Sequence, residues 1–267
     1  MYPEISITQD VTIGSYRLFG VLAAGYMSVS VFYVFNRLGI DITKIFLVAI
    51  ASMILFFIGS RLLFSILYFS MVKESPEMLY SLRLSGFSLH GGLILSGLFF
   101  YYISKKMKLN FFQITDRIVP HVGIAIVIMR IGCFLNGCCY GKPTSLPWGA
   151  PVAFLSQAHL AQVDSGNLFS ILSTSYVHPT QIYEMLAALT AVLISWYIFK
   201  NVGIRGVATF VFCFVFSLGR FITFFYRDFP VASEVSNFVR GPVVYGVVMV
   251  GSIVGVCILY NRRESQY

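Results

Sequence analysis

Residues 206–226 read GVATFVFCFVFSLGRFITFFY. The run is 21 residues long and holds one charged side chain, Arg220. At about 1.5 Å per residue a helix of this length matches the roughly 30 Å hydrocarbon core of a bilayer, where backbone groups must be satisfied inside the segment itself. Working outward, comparable stretches occur near 14–35, 44–69, 89–104, 117–136, 179–199 and 241–260, which predicts an all-α, polytopic membrane protein of about seven transmembrane helices. Composition agrees: the 267 residues are 57% hydrophobic and only 11% charged, with a mean hydropathy of +0.80. Soluble domains carry roughly a quarter charged residues, so that class is excluded.

The net charge of +8 does not point to nucleic acid, because the basic residues are scattered between apolar stretches and form no run. Their distribution instead sets an orientation. With seven spans, Arg37, Lys44, Lys105, Lys106, Lys108, Arg117, Lys200, Arg205, Arg262 and Arg263 share one side, which predicts an outside N-terminus and a cytoplasmic C-terminus. Arg17, Lys73, Arg83, Lys142, Arg227 and Arg240 flank the other side. The N-terminal MYPEISITQDVTIG has no Lys or Arg, so it lacks the basic region of a cleavable signal peptide and the first span is expected to stay. There is no internal repeat or low-complexity linker. Residues 1–267 read as a single transmembrane domain, with an external loop or small subdomain at about 140–178, rich in Gly, Pro and Ser.

Three arginines, Arg61, Arg130 and Arg220, lie inside apolar sequence. A cation at the centre of a membrane helix costs about 2.5–3.5 kcal/mol on insertion scales, so each needs an anionic partner or a polar cavity. Arg220 and Arg227, about two turns apart, present two guanidiniums whose planar forks match phosphate oxygens, so an anionic head group is the expected ligand. Glu184, in the first turns of the span after HPTQIYE, is expected to pair with an intramembrane arginine. Pro179 suits a helix start there. His90, which opens HGGLILSG, is a candidate general base because imidazole titrates near neutrality. Gly91 and Gly92 leave backbone open beside it.

Cys133, Cys138 and Cys139 cluster in RIGCFLNGCCYG at 130–141. C-x4-C-C is not a zinc-site spacing, so a metal site is not expected. A disulfide from Cys133 to Cys138 or Cys139 stays open. Cys213 and Cys257, within apolar runs, read as small core residues.

HGGL at 90–93, RIG-x-F-x-NG-x-x-x-G at 130–141, HP-x-Q-x-YE at 178–184 and GRF at 219–221, with IGSRL at 58–62, together resemble the prolipoprotein diacylglyceryl transferases, in order and spacing, over nearly the whole chain. The resemblance implies a bacterial inner-membrane enzyme, active toward the outer leaflet, that moves the diacylglyceryl group of phosphatidylglycerol to the thiol of a prolipoprotein lipobox cysteine and releases glycerol phosphate without metal or cofactor. It implies phosphate binding by Arg130 and Arg220, proton transfer or positioning by His90, and a head-group site shaped by Asn136 and Gly137. Tyr16 and Asp116 match weaker family positions near the cavity, and Arg61, Gly91, Gly92, Glu184 and Arg227 complete the expected substrate-binding set. The chain departs from the family pattern at Cys133 and Cys138, where the family usually has Asn and Glu, and at Phe216 and Phe224, where Tyr and Glu are usual. Those departures keep two alternatives open: a related transferase with another thiol acceptor or lipid donor, and a non-catalytic membrane protein that binds anionic lipid.

Overall fold

The computed structural model describes residues 4–6, 12–67, 69–74, 89–152, 156–164, 176–229 and 239–264. Two three-residue strands, β1 (Glu4–Ser6) and β2 (Thr12–Gly14), pair antiparallel with Ile5 opposite Ile13. This small hairpin is the one departure from an all-helical architecture among the described elements. It precedes α1 (Ser15–Arg37), α2 (Ile42–Leu67), the short α3 (Phe69–Glu74), α4 (Leu89–Lys106), α5 (Phe111–Asn136), the short α6 (Gln157–Asp164), α7 (Thr180–Asn201), α8 (Val207–Tyr226) and α9 (Val244–Glu264). A single π-helical turn, Val239–Val243, leads into α9.

Among the described residues six helices are long and apolar enough to cross a membrane, where the sequence predicts about seven. The remaining expected stretch, 89–104, does form a helix, α4, but it has 18 residues and ends on Lys105 and Lys106, which leaves it short of the others in apolar length. Arg83, assigned to a flank from the sequence, lies outside the described residues, as does the side chain of His90.

The exterior is apolar, unlike that of a soluble protein, and the interior holds small polar side chains beside its apolar ones. Val21, Leu193, Val247 and Phe46 are exposed on helix faces, whereas Ser15, Ser60, Ser104, Thr180 and Ser195 are almost completely buried. In a bilayer the lipid is as apolar as leucine, so helices gain little by hiding large side chains and instead approach through small residues. Several buried hydroxyls satisfy themselves on their own helix: Ser195 Oγ donates to the Val192 carbonyl at 3.1 Å and Thr223 Oγ1 to the Gly219 carbonyl at 2.8 Å. Pro120 inside α5 removes one backbone donor, which membrane helices tolerate when neighbouring groups compensate. Cys257, expected in the core, is exposed on α9 because a small side chain in an apolar run has no need of burial when the surrounding medium is lipid.

The chain forms two compact units, Phe32–Ile114 and Met1–Val31 with Thr115–Tyr267. In the first, α2 packs on α4 through glycine. A Cβ at Gly91 would collide with the backbone carbonyl of Gly59, and one at Gly92 would meet the Phe56 ring at 2.6 Å. The two glycines of HGGL, expected to serve substrate binding, are therefore required first by this helix crossing. Gly91→Ala is expected to destabilise the protein by about 1–3 kcal/mol through overpacking. Gly97→Ala on the same helix, with nothing within 4 Å of its Cβ, should leave the thermal midpoint in detergent unchanged or slightly raised.

In the second unit α8 packs between α7 and α9, with Gly219 against Ala187 and Gly255 against Phe210, whose ring a Cβ at Gly255 would meet at 2.6 Å. Between α5 and α7, Tyr140, Val152, Ala158 and Val177 form a small buried cluster of their own.

Candidate active site

The second unit gathers its polar residues where α5 and α8 end and where α7 and α9 begin. The end of α5 is a Schellman motif. Gly137 adopts φ 69°, the Gly137 N–H donates to the Phe134 carbonyl at 3.3 Å, and the Cys138 N–H donates to the Cys133 carbonyl at 3.2 Å. Glycine suits position 137 because the left-handed region costs a residue with a Cβ roughly 1–2 kcal/mol. Cys139 follows with φ 59°, a second left-handed residue. The start of α7 holds this turn: Thr180 Oγ1 donates to the Cys139 carbonyl at 2.6 Å and Gln181 Nε2 to the Cys138 carbonyl at 2.7 Å.

The chain then runs as an extended segment between two others. The Gly141 N–H donates to the His178 carbonyl at 3.0 Å and the Lys142 N–H to the Tyr226 carbonyl at 2.9 Å. A Cβ at Gly141 would lie 2.6 Å from both the Tyr226 carbonyl oxygen and the His178 Cβ, so only glycine lets the three strands of chain meet. This crossing carries Arg227 to the end of α5. His178 Nδ1 meets the Tyr183 hydroxyl at 3.1 Å, and the Trp148 indole N–H donates to the same oxygen at 3.0 Å.

Glu184 is the centre. Its carboxylate is 2% exposed and is ion-paired to Arg130 through one oxygen and to Arg220 through the other, while Arg227 Nη1 approaches at 3.7 Å. Three guanidiniums against one carboxylate leave two positive charges on this cluster. Arg220 is also fixed by Tyr245 on α9, whose hydroxyl accepts from Nε at 3.1 Å and from Nη2 at 2.7 Å. Arg130 Nη1 points to the Cys133 sulfur at 3.6 Å. Among the described residues the buried Arg227 Nε and Gln181 Oε1 have no hydrogen-bond partner, so a donor and an acceptor remain unspent here.

The predicted residues divide. Arg130, Arg220, Arg227 and Glu184 are in direct contact, and Gly137 shapes the turn beside them. Asn136 reaches the Cys138 sulfur, and Tyr16, at the start of α1, lies close enough to the three thiols and Arg130 to feel their charge. The Cys139 thiol sits well below the usual thiol range: Cys133 and Cys138 hydrogen-bond to its sulfur, and Arg227 and Arg130 add to this against the cost of burial. Arg61 and His90 belong to the other unit.

Asp116, expected near the substrate, is elsewhere. Its carboxylate accepts from the backbone N–H groups of Gly206 at 2.6 Å and Thr209 at 2.8 Å, and from the Thr209 hydroxyl. It therefore caps the start of α8, roughly 21 Å along α5 from Arg130 at 1.5 Å per residue. The negative charge complements the positive helix end, which is why a buried carboxylate is tolerated there. Asp116→Ala should cost about 2 kcal/mol of stability in a detergent melt while leaving lipid binding intact.

Tyr245 is the residue that sequence reasoning missed. It sits in GPVVYGVV, and nothing local distinguishes its hydroxyl from that of any interfacial tyrosine. Two of the four departures from the family pattern fall in apolar packing. Phe216 stacks on Phe212 with ring centroids 5.9 Å apart, and Phe224 packs on Phe229 at 5.1 Å and against Gly241.

The described helices fit a multi-pass membrane protein. Residues 4–261 match the family model described as prolipoprotein diacylglyceryl transferase. The phosphatidylglycerol–prolipoprotein diacylglyceryl transferase of Clostridium tetani is 32% identical over 196 residues, which is 73% of each chain. The protein of the same name from Clostridium botulinum strain Langeland is 26% identical over 229 residues, 85% of this chain and 83% of its own length. The Staphylococcus aureus protein of that name is 32% identical over 165 residues, 62% of this chain and 56% of its own. With a family match across nearly its whole length, this chain belongs to the prolipoprotein diacylglyceryl transferases.

Proposed function

We propose that the chain transfers the diacylglyceryl group of phosphatidylglycerol to the lipobox cysteine of prolipoproteins at the outer leaflet of a bacterial plasma membrane, with the Glu184 cluster facing outward. The observation that carries this reading is the surplus of two positive charges around Glu184, with Arg227 Nε left unpaired among the described residues. A phosphodiester carries one negative charge; the glycerol phosphate that leaves carries up to two. The cluster therefore complements the leaving group better than the bound lipid, and interactions that strengthen along the reaction are those that accelerate it.

In the step itself the cysteine sulfur attacks the glyceryl carbon, the carbon–sulfur bond forms as the carbon–oxygen bond to phosphate breaks, and the thiol proton goes to a base. His90 takes that part on the strength of the family motif, by proton transfer or by positioning the acceptor. Arg130 and Arg220 hold the phosphate oxygens, with Glu184 and Tyr245 keeping the guanidinium planes in place. Asn136, Gly137 and Tyr16 border the head group, while Arg61, Gly91 and Gly92 are assigned to substrate by the family motifs alone.

The test is reconstitution of purified protein in phosphatidylglycerol vesicles with a lipobox peptide, read by mass spectrometry. A diacylglyceryl thioether with equimolar glycerol phosphate is the expected result. Tight phosphatidylglycerol binding without adduct, under conditions where a C. tetani-type transferase works, would assign the chain to a lipid-binding role instead.

A further inference from the structure

Three of the five cysteines stand together at the end of α5, and phosphoryl chemistry has no use for them. Their sulfurs all lie within 4.8 Å of one another, and all three are free thiols. The Schellman turn places Cys133 one turn before the helix end and Cys138 directly after Gly137, over the same carbonyl; the left-handed backbone at Cys139 brings the third sulfur back to the other two. This arrangement does not depend on the sulfurs themselves. Thr180 Oγ1 and Gln181 Nε2 hold the carbonyls of Cys139 and Cys138 from α7, so side chains of a separate helix fix the turn that brings these two sulfurs to Cys133.

We propose that Cys133, Cys138 and Cys139 form a three-sulfur site for one soft, monovalent cation, with monovalent copper as the fitting ion. A metal–sulfur bond of about 2.3 Å in a trigonal plane holds sulfurs roughly 4 Å apart, so sulfurs already within 4.8 Å need only a small adjustment. The donor set selects the metal. Three thiolates suit a soft ion that accepts three ligands, whereas zinc seeks a fourth and hard cations seek oxygen. Among the described residues no further His, Cys, Asp or Glu joins the group, and Glu184 is committed to the arginines.

Charge supports the same choice. Three thiolates and one monovalent cation sum to minus two, which balances the surplus of plus two that Arg130, Arg220 and Arg227 leave over Glu184. Binding displaces into solvent whatever protons the three sulfurs still hold, forms three metal–sulfur bonds and changes no oxidation state. Cys133 is buried, while Cys138 and Cys139 are partly exposed, which leaves the ion a way in. One consequence rests on the proposed transferase reading: a filled site takes the same positive charge that the phosphate needs, and Arg130 Nη1 lies 3.6 Å from the Cys133 sulfur, so the copper-loaded protein is expected to lose lipid transfer.

Binding is measured directly, without reference to activity, by anaerobic titration of the reduced full chain in detergent with monovalent copper against a chromophoric copper(I) chelator. One equivalent is expected to bind, with an X-ray absorption spectrum fitted by three sulfurs. Cys133→Ser, Cys138→Ser and Cys139→Ser should each weaken binding at least 100-fold, and Cys257→Ser should not. Because a serine variant can fail to fold, the wild-type chain is also alkylated with and without copper, and protection of all three cysteines is expected. Stoichiometric binding that survives Cys133→Ser, tighter binding of zinc than of copper at the same site, or recovery of two of these cysteines as a disulfide from unreduced protein would each overturn the site. Loss of transfer activity in the absence of copper would bear on the transferase reading alone.

Discussion

Replacing Glu184 with alanine is expected to lower the stability of the folded protein by about 3–5 kcal/mol and to abolish lipid transfer. The carboxylate is 2% exposed and is shared by Arg130 and Arg220, with Arg227 at 3.7 Å. Without it three guanidiniums face one another at close range with their mutual repulsion uncompensated, and breaking a buried ion pair from one side costs far more than the net worth of the pair. Glu184→Gln separates charge from shape: it keeps the side-chain length and one acceptor oxygen, so stability should fall less while activity remains lost. Thermal unfolding in detergent measures the stability, and the reconstituted lipobox-peptide assay measures the activity. An alanine variant that melts with the wild type would remove Glu184 as the organising charge of the site.

Arg220→Ala and Arg130→Ala are each expected to lower kcat/KM by about 100- to 1,000-fold, the usual loss when one preorganised donor to a developing oxyanion is deleted. The two are not equivalent in origin. Arg220 is held on both sides, by Glu184 and by the Tyr245 hydroxyl, whereas Arg130 is held by Glu184 and leans on the Cys133 sulfur. Tyr245→Phe should therefore reproduce part of the Arg220 loss, through orientation, and leave Arg130 chemistry alone. Lysine at either position should rescue poorly, because an ammonium supplies charge but not the planar fork that binds two oxygens. Arg227→Ala, removing a charge at 3.7 Å, should cost less than either. The reconstituted assay with a lipobox peptide measures all of these, and near-normal turnover in both Arg220→Ala and Arg130→Ala would sink the assignment of the phosphate site.

How much of this was legible in advance differs residue by residue. Arg220 and Glu184 stood out because each is a charge in an apolar run, and a bilayer makes such a residue costly enough that its retention is itself a signal. Gly137 stood out through the family motif, which implied a role in shaping the head-group site. The short α4 was also foreshadowed, since an apolar run bounded by Lys105 and Lys106 has no room to lengthen. Asp116 was misplaced because a carboxylate near a helix start looks the same in sequence whether it caps the next helix or faces a ligand, and the decision lies with Gly206 and Thr209, some 90 residues away. The packing role of the HGGL glycines was hidden for the same reason: their partner, Gly59, is on another helix.

Local composition and spacing are enough to show that this chain crosses a membrane repeatedly, which spans carry charge, and which family its motifs resemble. That Arg130, Arg220 and Arg227 share a single carboxylate, that Tyr245 orients one of them, and that three cysteines in a C-x4-C-C spacing converge on one point emerges from the folded chain alone. Such convergence arises where the end of one helix is held by the start of another, through contacts between residues far apart in the chain, and periodicity carries no information about those contacts.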